Sequence, residues 1–298
     1  MAFKSLDELI DHAAGRPKQR IAVAAAADHH VLEALKKACE LKIVEPYLIG
    51  NKKEIIAIAD SIGLNNDQYE IINESDPTNA CTTAVTLIKE GNAEILMKGL
   101  VATATLLKAV LNKENGLRKH ETLSHFALFQ TSYYHKLFGI SDAAMNINPT
   151  LQEKAGIIYN AVEVMRKLGV NKPKVAILAP IENVNDKISS SVDAAILTRM
   201  NTENQIKNCI IYGPLALDNA ISREASDLKG IVSEVAGDAD ILITPDLNSG
   251  NILYKSLIFL SDGMAAAIIT GAAVPIVLTS RADSEMNKLY SIALAASL

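Results

Sequence analysis

Short apolar segments alternate with amphipathic helical segments along nearly the whole chain. This alternation predicts βαβ units, and therefore parallel sheets covered by helices. The predicted strands are RIAVAAAA (20–27), KIVEPYLIG (42–50), YEIIN (69–73), EILMKG (94–99), SHFALFQ (124–130), HKLFGISDAA (135–144), KVAILA (174–179), NCIIYG (208–213), ADILITP (239–245) and VPIVLTS (274–280).

Two helices carry clear start signals. Asp76 can cap a helix that has Pro77 in its first position and Gly91 at its exit. Thr150 and Glu153 form a capping-box pattern ahead of a long helix. Since 298 residues suit two domains better than one, we predict a first α/β domain of residues 1–148 plus 280–298 and a second of residues 149–279.

Composition narrows the classes of function. The chain is 49% hydrophobic but only 4% aromatic, so the core is aliphatic. The formal net charge of −5 and the absence of any Lys/Arg block argue against nucleic-acid or membrane-surface binding. The N-terminus lacks a signal-peptide pattern and no apolar run free of charge reaches about 18 residues, so we expect a cytoplasmic protein.

Polar residues collect after two predicted strands. In parallel sheets, ligands bind beyond the carboxyl ends of the strands. Lys98 near the end of strand 94–99 is followed by Thr103 and Lys108, and these residues could hold a phosphate at a helix start or simply be solvated. After strand 239–245 come four residues that form either a binding loop or a plain connection: Asp246, Asn248, Gly250 and Asn251.

The last predicted strand ends in Ser280 and Arg281, followed by Asp283 and Glu285. Ser280 suits a hydrogen-bond donor better than a nucleophile because no GxSxG elbow is present. Arg281 offers bidentate donors for phosphate or carboxylate. Asp283 or Glu285 can accept a proton if burial raises its pKa. The alternative is a helix cap, a surface arginine and ordinary first-turn acids.

Metal and redox chemistry find little support in the sequence. Asp28 reads as a helix cap, and the adjacent His29 and His30 are expected to diverge, so we predict no metal site. The three cysteines are scattered without a CxxC pattern, which favours buried thiols over a catalytic cysteine. Walker A, GxGxxG, HExxH and Cys/His zinc patterns are all missing.

Several longer segments resemble the phosphate acetyltransferase and phosphate butyryltransferase family, most closely its butyryl branch. They are KGLVATATLLKAVLNKENGLR (98–118), NINPT (146–150), YGPLALDNAIS (212–222), AGDADILITPDLNSGNILYK (236–255) and VLTSRADSEMNKLYSIALA (277–295). The resemblance implies a two-domain α/β fold of the isocitrate/isopropylmalate dehydrogenase type, with the active site in the interdomain cleft. It also implies a homodimer or larger homo-oligomer, no metal and no tightly bound cofactor.

The reaction implied by the resemblance is acyl-CoA plus phosphate giving acyl phosphate plus CoA. In the reverse direction a carboxylate deprotonates the CoA thiol, and the thiolate attacks the acyl phosphate directly, without a covalent enzyme intermediate. By resemblance, Ser280 donates to the developing oxyanion and Arg281 clamps the phosphate. Where acetyltransferases have an Asp this chain has Asn287, so Asp283 replaces it as the expected base, with Glu285 in reserve.

Two lysines complete the expected site. By resemblance Lys108 stands where the family often has a phosphate-binding arginine, and Lys136 is a further candidate for phosphate or the CoA pyrophosphate. Three alternatives stay open: a phosphate acetyltransferase, a metal-dependent decarboxylating dehydrogenase of the same fold, and a non-catalytic acyl-CoA or phosphate-ligand binding protein, which Asn287 motivates.

Overall fold

The structure is a computed structural model that describes residues 3–279 and 283–298. The helices are α1 (Leu6–Ala14), α2 (His29–Glu40), α3 (Lys52–Ile62), α4 (Pro77–Lys89), α5 (Thr103–Val110), α6 (Leu151–Lys167), α7 (Ser189–Thr202), α8 (Leu217–Ile221), α9 (Arg223–Leu228), α10 (Leu247–Leu260) and α11 (Glu285–Ala296). The strands are β1 (Gln19–Ala24), β2 (Val44–Gly50), β3 (Glu70–Asn73), β4 (Ile95–Lys98), β5 (Ser124–Gln130), β6 (Phe138–Ser141), β7 (Lys174–Leu178), β8 (Ile210–Leu215), β9 (Ile241–Ile243), β10 (Met264–Thr270) and β11 (Ile276–Val277). The predicted mixing of strands and helices is confirmed.

The chain forms two compact units. The N-terminal unit comprises Leu6–Glu121 and Ala266–Leu298, and the central unit comprises Thr122–Ala265 with the residues before Leu6. These limits differ from the predicted boundaries near residues 148 and 280. The difference arises because β5 and β6 pair with each other, and β6 pairs with β9, so both strands belong to the central unit.

In the N-terminal unit the strand order is β3-β2-β1-β4-β11-β10. Strands β1, β2, β3, β4 and β11 run parallel, whereas β10 is antiparallel to β11. Strand β1 is buried from Ile21 to Ala24, and helix α11 is buried from Asn287 to Ala296. The C-terminal helix is therefore part of the core of this unit.

In the central unit the strand order is β5-β6-β9-β7-β8. Strands β6, β9, β7 and β8 are parallel, and β5 is antiparallel to β6. The predicted parallel α/β sheets are therefore confirmed, with antiparallel exceptions at β5 in this unit and at β10 in the other. Both exceptions are strands with no helix between them and their antiparallel neighbour, which is the connection that permits antiparallel pairing.

The predicted helix starts are confirmed. Asp76 accepts hydrogen bonds from the backbone amides of Thr78 and Asn79, and Pro77 occupies the first turn of α4. Thr150 and Glu153 form the capping box of α6. Among the described residues, no helix is long and apolar enough to cross a membrane.

All three cysteines are buried, and none of them forms a disulfide. Burial raises the pKa of the Cys39 thiol to about 12 and those of Cys81 and Cys209 to about 11. These values leave almost no thiolate at neutral pH, so the expected role as buried apolar side chains fits the structure.

One ion-pair network ties the starts of three central-unit strands together. Asp238 accepts from Lys136 at 2.8 Å and from Lys174 at 2.5 Å, and it contacts His135 at 2.9 Å. Asp240 accepts from Lys136 at 2.6 Å. Although burial opposes it, hydrogen bonding to the two lysines holds the pKa of Asp238 far below its usual range.

We predict that Asp238→Asn lowers the free energy of unfolding by about 2 kcal/mol at pH 7, because two charge-assisted hydrogen bonds are lost. Since the pKa of Asp238 is depressed in the folded state, its contribution is complete above the unfolded pKa and is lost as pH falls. The difference between wild type and variant should therefore shrink below about pH 4 in urea titrations at several pH values.

Glu203→Gln is the matched control. It removes an exposed ion pair with Arg199, in which the two side chains keep 52% and 69% of their accessible surface. Its cost should not exceed about 0.5 kcal/mol. An Asp238→Asn variant that is equally mild would show that the network does not stabilise this unit.

Candidate active site

Three parallel strands of the N-terminal unit end at the same edge of its sheet. Ala24 of β1 aligns with Lys98 of β4, and Val277 of β11 aligns with Met97 of β4. The segments that follow β1, β4 and β11 therefore leave the sheet side by side. The structure thus places the candidates Lys98 and Thr103 at the same edge as the chain that leads to Asp283.

Gly99 holds the exit of β4 against the exit of β1. A Cβ at this position would lie 2.2 Å from the carbonyl oxygen of Ala25, so only glycine permits this approach. The backbone amide of Leu100 donates to the same carbonyl at 2.7 Å. The half-buried Lys98 ammonium donates to the carbonyls of Gly99 and Val101, which fixes it at the strand end.

Helix α5 begins at Thr103 beside this loop. Its N-cap residue Ala102 provides no side-chain hydrogen bond to the first turn. A helix start without a side-chain cap can offer its backbone N–H groups to an anion. Lys108 is exposed and follows Thr103 by five residues, about 140° further round the helix, so the structure does not bring it to this end.

Asp283 and Glu285 stand at the start of α11. Ser284 caps this helix and accepts from the amide of Asn287 at 3.1 Å. Asp283 is half-buried, and its carbonyl accepts from the buried Lys288 ammonium. The catalytic candidates Ser280 and Arg281 lie outside the described residues.

Glu285 is held by an ion pair. Its carboxylate accepts from the Lys37 ammonium of α2 at 2.9 Å, and this bond lowers the pKa of Glu285. From the sequence, we expected burial to raise the pKa of the catalytic carboxyl group. The pKa of Glu285 is shifted in the opposite direction. A carboxylate with a lowered pKa is a weaker proton acceptor, which favours Asp283 of the two candidates.

Most of the candidate residues in the central unit cap helix α10 or pack its first turns against neighbouring backbone. Asp246 caps it by accepting from the amide of Ser249 at 2.8 Å. A Cβ on Gly250 would lie 2.2 Å from the carbonyl oxygen of Asp142, and the Asn251 amide donates to the carbonyl of Ala143 at 3.1 Å. Packing therefore accounts for these positions, whereas Asn248 is exposed.

Lys136 does not lie where its candidacy required. It precedes β6, and its partners Asp238 and Asp240 precede β9, which runs parallel to β6. Lys136 is therefore at the amino edge of the sheet, opposite Asp246, and it is engaged in the ion-pair network. The expectation of a strand-end cation for phosphate or pyrophosphate is wrong on this geometry.

From the sequence, we did not predict that two histidines and a glutamate of α2 lie close together. Asp28 caps α2 as predicted, accepting from the amide of Val31 at 3.0 Å. The neighbouring histidines do not diverge: the Nδ1 atoms of His29 and His30 lie 3.2 and 3.5 Å from one Glu33 oxygen. The available signal was the spacing of Glu33, three and four residues beyond the histidines on one helix.

Comparison with known proteins decides the family. A family model described as phosphate acetyl/butaryl transferase matches residues 5–81 and 76–296. The chain belongs to this family. Over 293 residues it is 46% identical to a phosphate butyryltransferase of Clostridium beijerinckii, spanning 98% of this chain and 97% of that protein. It is also 44% identical over 291 residues to a phosphate acetyltransferase of Thermotoga maritima, spanning 98% of both chains.

Solved structures agree with this assignment. A branched-chain phosphotransacylase from Enterococcus faecalis superposes with a TM-score of 0.83 at 34% identity, covering 94% of this chain and 98% of that one. A 4-hydroxythreonine-4-phosphate dehydrogenase from Burkholderia phymatum gives a TM-score of 0.58 at 11% identity, covering 95% and 98%. The second likeness shows the fold alone. As a member of the family, the chain is an acyltransferase.

Proposed function

We propose that this acyltransferase interconverts acyl-CoA plus phosphate with acyl phosphate plus CoA, with a four-carbon acyl group preferred. The observation that carries the proposal is the full-length similarity to a phosphate butyryltransferase. The common edge formed by the ends of β1, β4 and β11 supports it, because Lys98 ends β4 and helix α5 begins just beyond it. CoA enters as a substrate and no tightly bound cofactor takes part.

The roles follow from the direction of acyl transfer to CoA. Asp283 removes the proton of the CoA thiol, the thiolate adds to the acyl carbonyl, and the carbon–oxygen bond to phosphate breaks. Ser280 donates to the oxyanion that forms, and Arg281 binds the phosphoryl oxygens; both roles rest on the family resemblance. Lys98 and the start of α5 at Thr103 add positive potential for phosphate.

The acyl preference needs a direct test, because relatives named for acetyl and for butyryl transfer are almost equally similar. We expect phosphate-dependent release of free CoA from acetyl-, propionyl-, butyryl- and isobutyryl-CoA, with kcat/KM highest for the four-carbon substrates. Each methylene contributes about 1–3 kcal/mol of discrimination in an apolar pocket. The assay includes a chelator and a control without phosphate.

The outcomes separate the open alternatives. A maximum with acetyl-CoA would make the chain a phosphate acetyltransferase. CoA binding without release from any substrate would favour the non-catalytic binding protein. Activity that disappears with the chelator would revive a metal-dependent reaction.

We predict that Asp283→Asn lowers kcat about 100-fold or more without weakening CoA binding, since it removes the proton acceptor but keeps the side-chain shape. Glu285→Gln is the matched control, because that carboxylate is already held by Lys37, and its kcat should change little. Single-turnover kinetics and CoA titrations measure the two quantities. The reverse order of effects would transfer the role of base to Glu285.

We further propose a homo-oligomer that buries helix α10. Of its 14 residues only Gly250 is buried, while Ile252, Phe259 and Leu260 keep 66%, 65% and 85% of their accessible surface. An exposed apolar helix face of this kind is typical of a protein–protein contact. A second copy of the chain supplies the same apolar face for a two-fold contact.

Light scattering after size exclusion tests this contact. The wild type should have at least twice the chain mass of 32.0 kDa, and the double variant F259E/L260E should be a folded monomer, because the apolar contact would have to bury two carboxylates. Val232→Glu, at a position that keeps 93% of its accessible surface, controls for an added charge. A monomeric wild type, or an unchanged mass in the double variant, would contradict the contact.

A further inference from the structure

The first two turns of α2 carry three potential metal ligands that play no part in the proposed reaction. We call His29, His30 and Glu33 the α2 cluster. One ligand atom from each lies within 4.8 Å of the others. Both histidines are exposed, so an ion can reach them from solvent, and the Asp28 cap orders the turn that carries them.

The two distances from the histidines to the glutamate match those around a tetrahedral ion. Zinc bonds of about 2.0–2.1 Å to imidazole nitrogen and carboxylate oxygen place neighbouring ligand atoms about 3.4 Å apart. The two Nδ1 atoms lie 3.2 and 3.5 Å from Glu33 Oε2. The two rings do not stack, since their planes are 80° apart with centroids separated by 5.8 Å.

One carboxylate oxygen of Glu33 lacks a hydrogen-bond partner. Its Oε2 atom is buried and accepts no hydrogen bond, although buried carboxylate oxygens normally do. The Nδ1–H tautomer of a neutral imidazole can also donate to this oxygen across these distances. A metal ion would satisfy Oε2 and both neutral imidazoles at once.

The surrounding charges permit a cation. A pocket of about 300 Å³ borders the cluster and is lined by His29, Glu33, Lys36, Lys37, Glu40, Ser61, Ile62 and Glu285. Its two ammonium groups are engaged: Lys37 donates to Glu285 at 2.9 Å and Lys36 to the carbonyl of Ile62 at 2.8 Å. Glu285 also interacts with Glu33, so a further carboxyl group lies beside the cluster.

We propose that His29, His30 and Glu33 bind one divalent transition-metal ion, with Zn²⁺ the preferred ion and the fourth position open to water. Two imidazoles and a carboxylate are a ligand set that suits Zn²⁺ and discriminates against Mg²⁺ and Ca²⁺, which prefer oxygen ligands. This inference reverses the expectation of no metal drawn from the sequence. It does not depend on the proposed acyl transfer.

The test is direct binding of Zn²⁺ to the chelator-treated full chain, measured by competition with a chromophoric zinc indicator. We expect one equivalent to bind the wild type, and His29→Ala and His30→Ala each to weaken binding about tenfold or more. His12→Ala removes an exposed histidine of α1 and should bind like the wild type. No stoichiometric binding by the wild type, or unchanged binding by H29A/H30A, would overturn the proposal.

Cobalt spectroscopy checks the ligand type independently. Co²⁺ in the site should give the intense visible bands of a tetrahedral nitrogen–oxygen environment, and H29A/H30A should lose them while keeping the wild-type melting temperature. A strong thiolate-to-cobalt charge-transfer band would assign the metal to a cysteine instead and refute the site. The raised pKa values of the three buried thiols argue against that outcome.

Discussion

The pairing of β11 with β4 is the constraint on which the N-terminal unit depends. The C-terminal segment returns to this unit, inserts β11 between β4 and β10, and then buries α11. Two long-range hydrogen bonds secure the return: Tyr290 donates to Asp7 at 2.7 Å, and Arg16 donates to the carbonyl of Ser297 at 2.7 Å. Without this return the sheet would lack the strand that joins β4 to β10.

Gly99 allows the ends of β1 and β4 to lie close together at their shared edge of the sheet. Because Gly99 lets β4 leave the sheet in contact with the backbone after β1, the half-buried Lys98 is directed at nearby carbonyls instead of extending into solvent. A chain with a net charge of −5 can then present positive potential locally. At the start of α11, the hydrogen bond from Lys37 lowers the pKa of the Glu285 carboxylate.

Local sequence signals predicted local structure well, and they failed where partners are distant in sequence. The caps at Asp76 and Thr150 depend on residues within one turn, so the pattern alone identifies them. The ion pair of Lys136 with Asp240 joins residues 104 positions apart, and no pattern near Lys136 indicates it. The order β5-β6-β9 likewise depends on long-range pairing, which explains the misplaced domain boundary. The position of Lys98 at the sheet edge was predictable because the carboxyl ends of parallel strands lie at the same edge of a sheet.

The buried cysteines have a consequence for chemical durability. With thiol pKa values of about 11 or higher, only about one thiol in ten thousand is a thiolate at neutral pH. Thiol–disulfide exchange requires both a thiolate and access to it. An enzyme that releases a free thiol as its product would meet that thiol's oxidised dimer throughout its working life. Burial of its own sulfur atoms protects it from forming mixed disulfides with what it produces.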